Sequence, residues 1–140
     1  MKSIILITCL FYSVLVSAAE FNSEKDIRTF TDNMMNQIVK EKFNTAFNSA
    51  KPYWPMPAVE IDGIVNKINQ QWPIVNQRFG KAIGNEFVKE ERIGKSFLRY
   101  YYLHKFTKHA IYWRIDFYKP KSTWKINSII FLDTLDALYD

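Results

Sequence analysis

"FLRYYYLHKFTKHAIYWRIDFYKP", residues Phe97 to Pro120, decides how the rest of the chain is read. It holds nine aromatic residues, five Lys or Arg, both histidines and one acid, Asp116. Bulky residues recur here with a period of two, which marks strands, and the break at Lys108–His109 is short enough that the two strands must pair as an antiparallel hairpin. If Thr107 faces Ala110, then Leu98, Tyr100, Tyr102, His104 and Phe106 share a face with Ile111, Trp113, Ile115 and Phe117. The opposite face gathers Arg99, Tyr101, Leu103 and Lys105 with Tyr112, Arg114, Asp116 and Tyr118. The first set spells a sheet core. The second is polar and aromatic, and its Arg99, Tyr101, Arg114, Asp116 and Tyr118 are the candidate ligand-binding or interface residues. This register sets Tyr101 opposite Asp116 and Leu103 opposite Arg114; a slip of one residue would exchange the faces.

Outward from the hairpin, NEFVKEERI (residues 85–93) and TWKINSIIFLD (residues 123–133) are two further strand-like runs with short connections. The four together predict an antiparallel meander, with Trp124, Ile126, Ile130 and Leu132 joining the core face. Upstream the period lengthens. Ile27, Phe30, Met34, Ile38, Phe43 and Phe47 fall mostly three or four apart, predicting one amphipathic helix from about Glu24 to Ala50, capped by Ser23 with Asp26 three residues on. KPYWPMP, with three of the five prolines, ends it. A second helix from Pro57 carries Ile61, Ile64, Val65, Ile68, Trp72, Val75 and Phe79 on one face, with a kink expected at Pro73 and a cap at Gly80. DTLDALYD closes the chain with one helical turn capped by Asp133. Helices first and an antiparallel sheet afterwards make an α+β fold with the helices packed on one face of the sheet.

The chain begins MKSIILITCLFYSVLVSAAE, a single Lys, an apolar or small run from Ile4 to Val16, and small residues suited to cleavage after Ala18 or Ala19. That order is a secretory signal peptide, and the run falls short of the roughly 20 apolar residues a membrane span requires. Residues 1–18 are therefore set apart as the signal and residues 19–140 read as a single domain with no stable membrane span after cleavage, periplasmic or extracellular. Cys9, the one cysteine, goes with the signal, so the mature chain has no disulfide, thiolate ligand or cysteine nucleophile. Lys and Arg outnumber Asp and Glu by 19 to 14, and by 18 to 14 without Lys2, a net charge of +4 that suits solubility and anionic surfaces.

Single-strand nucleic-acid modules interleave glycines with their aromatics so that bases can approach, and this stretch has none, which argues against a nucleic-acid partner. His104 and His109 fall on either side of a turn with no metal-ligand spacing, so no metal or cofactor is expected. No GxSxG, P-loop or phosphate-cradling glycine cluster is present, and Glu90 and Glu91, being adjacent on a strand, point to opposite faces.

The runs FLRYYYLHKF, AIYWRIDFYKP and TWKINSIIFLDTLDALYD, following two or three helices, resemble the nuclear transport factor 2-like superfamily, the cystatin-like α+β cone. The hairpin YKPKSTWKINS and short acidic tail are most similar to small exported bacterial members of unassigned function. The resemblance spans nearly all of the mature chain. It implies helices packed on a curved four-stranded antiparallel meander, a pocket between helices and sheet, and a tendency to homodimerise through the sheet's outer face. No catalytic Asp–His pair of that superfamily maps onto these residues, so no activity is carried over. The leading reading is an exported, non-enzymatic domain that binds a small apolar or anionic ligand or a protein partner, with Arg99 or Arg114 orienting an acidic group. Two others compete with it. One is a small cone-type isomerase or dehydratase with Asp116 as base and a tyrosine as acid, which needs Asp116 inside the cone near Tyr101. The other is a structural dimerisation module using the Arg99 to Tyr118 face.

Overall fold

The structure, a computed structural model, describes residues 18–139. The signal-peptide reading and Cys9 lie, Ala18 apart, outside the described residues. Three α-helices, α1 (Glu24–Val39), α2 (Phe43–Ala50) and α3 (Ala58–Phe79), precede four strands, β1 (Ala82–Ile93), β2 (Phe97–Phe106), β3 (Ala110–Tyr118) and β4 (Lys125–Leu132). The strands form one open antiparallel sheet in the order β1-β2-β3-β4. The fold class is therefore α+β, helices first. No helix among the described residues is long and apolar enough to cross a membrane.

The first predicted helix is two. Ser23 caps α1 as expected, its Oγ accepting from the Asp26 N–H at 3.1 Å. The chain then turns at Glu41, whose φ of 58° is left-handed. The Glu41 N–H donates to the Ile38 carbonyl and the Lys42 N–H to the Gln37 carbonyl, at 2.9 and 3.0 Å, which is the hydrogen-bond pattern of a Schellman stop. Glycine is the usual residue there, and a glutamate gave the sequence no stop signal. Its side chain supplies the compensation: Glu41 Oε1 accepts from Trp72 Nε1 at 3.1 Å and from Asn76 Nδ2 at 2.5 Å, tying the turn to α3. α3 runs unbroken through Pro73, whose ring lies on the exposed side. Gly80 follows with φ 87°, and a Cβ there would collide with Thr107 Oγ1, so the end of α3 admits only glycine against the β2–β3 turn.

That contact also resets the hairpin. The Thr107 N–H donates to the Lys81 carbonyl at 3.0 Å and the Lys108 N–H to the Phe79 carbonyl at 2.9 Å, so these two residues, not Lys108 and His109, are the centre of the turn. Phe106 then closes on His109, and the register places Arg99 opposite Asp116 and Tyr101 opposite Arg114. Each strand residue has moved two positions along its partner, an even shift, so both faces keep their predicted membership.

The β4 expectation is half corrected. Phe117 pairs with Ile126 but Asp116 pairs with Ser128, leaving Asn127 as an extra residue in a bulge. One extra residue reverses the alternation beyond it. Trp124 and Ile126 face the core as expected, whereas Ile129 and Phe131 follow them inward and Ile130 and Leu132 turn to the other face. At the C-terminus the turn is a 3-10 helix, Asp136–Leu138, whose N-cap residue is Leu135 and not Asp133.

The helices cover the Tyr102–Trp113 face. Trp113, Tyr102 and Phe117 are completely buried there, with Phe47 and Trp72 of the helices packed edge-on or tilted against Trp113. Aromatic side chains of this size each remove 150–250 Å² from water, which makes this layer the main source of stability.

Candidate functional site

The five predicted site residues all lie on the sheet face turned away from the helices, because they occupy the alternate positions of β2 and β3. Four of them meet in one charged cluster. Arg99 and Asp116, cross-strand partners, form a bidentate pair, Nε to Oδ1 at 2.8 Å and Nη2 to Oδ2 at 2.9 Å. Asp116 is buried, and Ser128 on β4 also donates to its Oδ2, at 3.3 Å. The hydrogen bond from Arg99 to Asp116 holds the guanidinium more firmly protonated than an isolated arginine, against the opposing effect of burial. Tyr101, opposite Arg114, instead donates its hydroxyl to Glu91 Oε2 at 3.0 Å. Burial drives the Tyr101 hydroxyl pKa up, and the adjacent Glu91 carboxylate adds to the shift. Tyr118 shares the face but stands at its end, stacked on Phe97 with ring centroids 4.8 Å apart.

Glu91, set aside with Glu90 as a carboxylate pair in the sequence, is the hub on the β1 side. Lys89 Nζ lies 3.2 Å from its Oε1 and Arg99 Nη1 3.7 Å from its Oε2. Burial pushes the Glu91 carboxyl up, but hydrogen bonds from Lys89 and Tyr101 and the charges of Lys89 and Arg99 outweigh it, so its pKa falls below the usual carboxylate range. Strand alternation alone puts Glu91 on one face or the other. The bulge between Phe87 and Lys89 decides which, and nothing in the sequence marks it.

Arg114 differs from its neighbours. Its Nε is buried and lies 3.4 Å from Asp116 Oδ1, close enough for charge attraction but without hydrogen-bond geometry, and it has no hydrogen-bond partner. Asp116 is already occupied by Arg99 and Ser128, so Arg114 keeps unused donors on a face walled by the buried rings of Tyr101 and Tyr112. Next to the cluster a groove of ≈ 460 Å³ is lined by Glu91, Ile93, Phe97, Arg99 and Asp116 among others. That is within the range of small-molecule sites.

The proposed acid–base pair is not assembled: Asp116 is bonded to Arg99 and Ser128, and Tyr101 to Glu91. The helix-side face is filled by packing. There His104 is completely buried, stacked on Phe106 and near-parallel to Trp72. Its Nδ1 accepts from Trp113 Nε1 at 3.3 Å, which makes the neutral Nε2–H tautomer the one present, and burial lowers its pKa to about 4. His109 lies at the opposite end of the turn, exposed, its Nε2 3.3 Å from the Asp133 carbonyl. No group of three His, Cys, Asp or Glu positioned to hold a metal occurs among the described residues.

Comparison of the chain with protein-family models, with curated proteins and with solved structures found no match in any of the three.

Proposed function

We infer that this chain is a non-enzymatic binding domain whose recognition surface is the helix-free face of the sheet, where Arg114 receives an anionic group of a small ligand or protein partner. One observation carries the reading: Arg114 is the guanidinium on that face with unspent donors, held in place beside a fully engaged Arg99–Asp116 pair. A guanidinium with its Nε out of water and unbonded gains a charge-assisted hydrogen bond when a carboxylate or phosphate arrives. The neighbouring groove has room for the rest of a small molecule. Membership of the nuclear transport factor 2-like superfamily, and export to the periplasm or beyond, belong to the same proposal; three helices ahead of a four-stranded meander agree with the former.

A second reading is supported by the apolar ends of this face. Ile93, Tyr118 and Leu132 are 71%, 38% and 46% exposed. Such residues around a polar centre suit a flat protein contact, including a second copy of the chain related by a two-fold axis.

Native mass spectrometry of the purified protein tests both. An adduct retained by the protein and lost in Arg114→Ala, with folding unchanged, supports the ligand reading. Equal retention by that variant removes Arg114 from the site. A ligand-free dimer broken by Tyr118→Glu would move the function to self-association.

A further inference from the structure

One end of the molecule collects cations from four parts of the chain. Lys40 caps the C-terminus of α1, Lys42 begins α2, Arg78 and Lys81 flank the end of α3, and Lys108 is in the β2–β3 turn. The backbone hydrogen bonds from Thr107 to Lys81 and from Lys108 to Phe79 hold these parts together, and Lys40 and Lys81 line one shared depression. All five side chains are exposed, and none is in an ion pair with a described residue. Two carboxylates stand nearby, Asp133 and Glu41, and an oxygen of Glu41 is already taken by Trp72 and Asn76.

Cations after a helix C-terminus offset its partial negative charge, which accounts for Lys40, Arg78 and Lys81. It does not account for Lys42 or Lys108. Next to Arg78 lies a mostly apolar groove of ≈ 170 Å³ between α3 and the sheet, whose lining includes Ile74 and Leu132, 58% and 46% exposed, together with Arg78 and Asp133. A purely polar polyanion has no use for exposed aliphatic residues next to the cations. A bilayer surface supplies both complements, anionic headgroups for the lysines and an acyl boundary for the aliphatic side chains.

We propose that this basic end docks the protein peripherally on membranes containing anionic phospholipid. The test is co-sedimentation of the whole chain with vesicles of phosphatidylcholine alone and of phosphatidylcholine and phosphatidylglycerol in equal parts. Every variant keeps the same N-terminal segment, so any contribution from it cancels. Binding should require phosphatidylglycerol and weaken with salt. Each basic residue near an anionic surface is worth about 1 kcal/mol, so Lys81→Gln with Lys108→Gln should weaken binding roughly 30-fold. The same two neutralisations at the opposite end, Lys95→Gln with Lys121→Gln, should change it far less. Three results would overturn the proposal: equal binding to both vesicles, equal loss from both variant pairs, or displacement by inorganic phosphate well beyond that by chloride of matched ionic strength. The last would identify a free-phosphate site instead of a docking surface.

Discussion

The two faces of the sheet are built from alternate residues of the same strands, yet they differ in almost every physical respect. On the helix side Tyr102, Trp113, Ile115 and Phe117 are completely buried and the one ionisable imidazole, His104, is held neutral by desolvation. On the other side the buried groups are charged or hydroxylated, and Glu91, Arg99 and Asp116 satisfy one another across three strands. A face that is packed by helices has exchanged water for carbon, and a face without helices must satisfy its own polar groups. Each face leaves a buried nitrogen without a partner, Nε2 of His104 on the first and Nε of Arg114 on the second, but only the second belongs to a charged group.

Truncating a side chain on the packed side should have the largest effect. Trp113→Ala should destabilise the protein by about 3–5 kcal/mol, measured by urea unfolding, because a completely buried indole leaves a cavity. Tyr118→Ala, at the exposed end of the other face, should cost below about 1 kcal/mol in the same assay. Equal losses would mean that the outer face is also covered.

Acid should strike the packed side through His104. Its folded pKa of about 4 lies below its unfolded value, so the unfolded chain takes up the proton first. The stability associated with neutral His104 is complete above pH 6.5 and lost as pH falls through 4, a change of about 3 kcal/mol. Urea midpoints between pH 7 and pH 4 should show this decline in the wild type and less of it in His104→Phe. Parallel curves would place the titration elsewhere.

On the outer face, Asp116→Asn should cost about 2 kcal/mol, because it leaves two arginines without their shared anion in a partly dry setting. Arg99→Met, which removes one cation and leaves Asp116 with Arg114 and Ser128, should cost less. The smallest of these effects separates strain from its compensation. Glu41→Ala keeps the left-handed backbone and loses both side-chain bonds, and should cost about 1 kcal/mol more than Glu41→Gly, which relieves the backbone.

Most of this contrast was legible in the sequence, and its failures share a cause. Period-two alternation assigned Leu98 to Phe106 and Ile111 to Tyr118 to their faces correctly, and an even register shift could not disturb that. What was hidden depended on contacts between distant segments. The turn centre was set by the Phe79–Lys81 backbone, the helix break by Glu41 reaching Trp72 and Asn76, and the inward set of β4 by a bulge at Asn127. Residue type and alternation placed Arg99, Tyr101, Arg114 and Asp116 together on one face, which is where they lie. They did not find Glu91 or Ser128, whose place on that face follows from bulges. Nor could they tell which arginine was already spent, since that depends on which one sits opposite Asp116.

The most direct test of the account is an NMR titration of the protein with a small carboxylate such as benzoate, following the arginine Nε–H and tryptophan Nε1–H signals together. The Arg114 Nε–H signal should move with added ligand, Arg99 should change little because Asp116 holds it, and Trp72 and Trp113 should stay fixed. Movement of the Trp72 and Trp113 signals with Arg114 unchanged would put the ligand between helices and sheet and contradict the account.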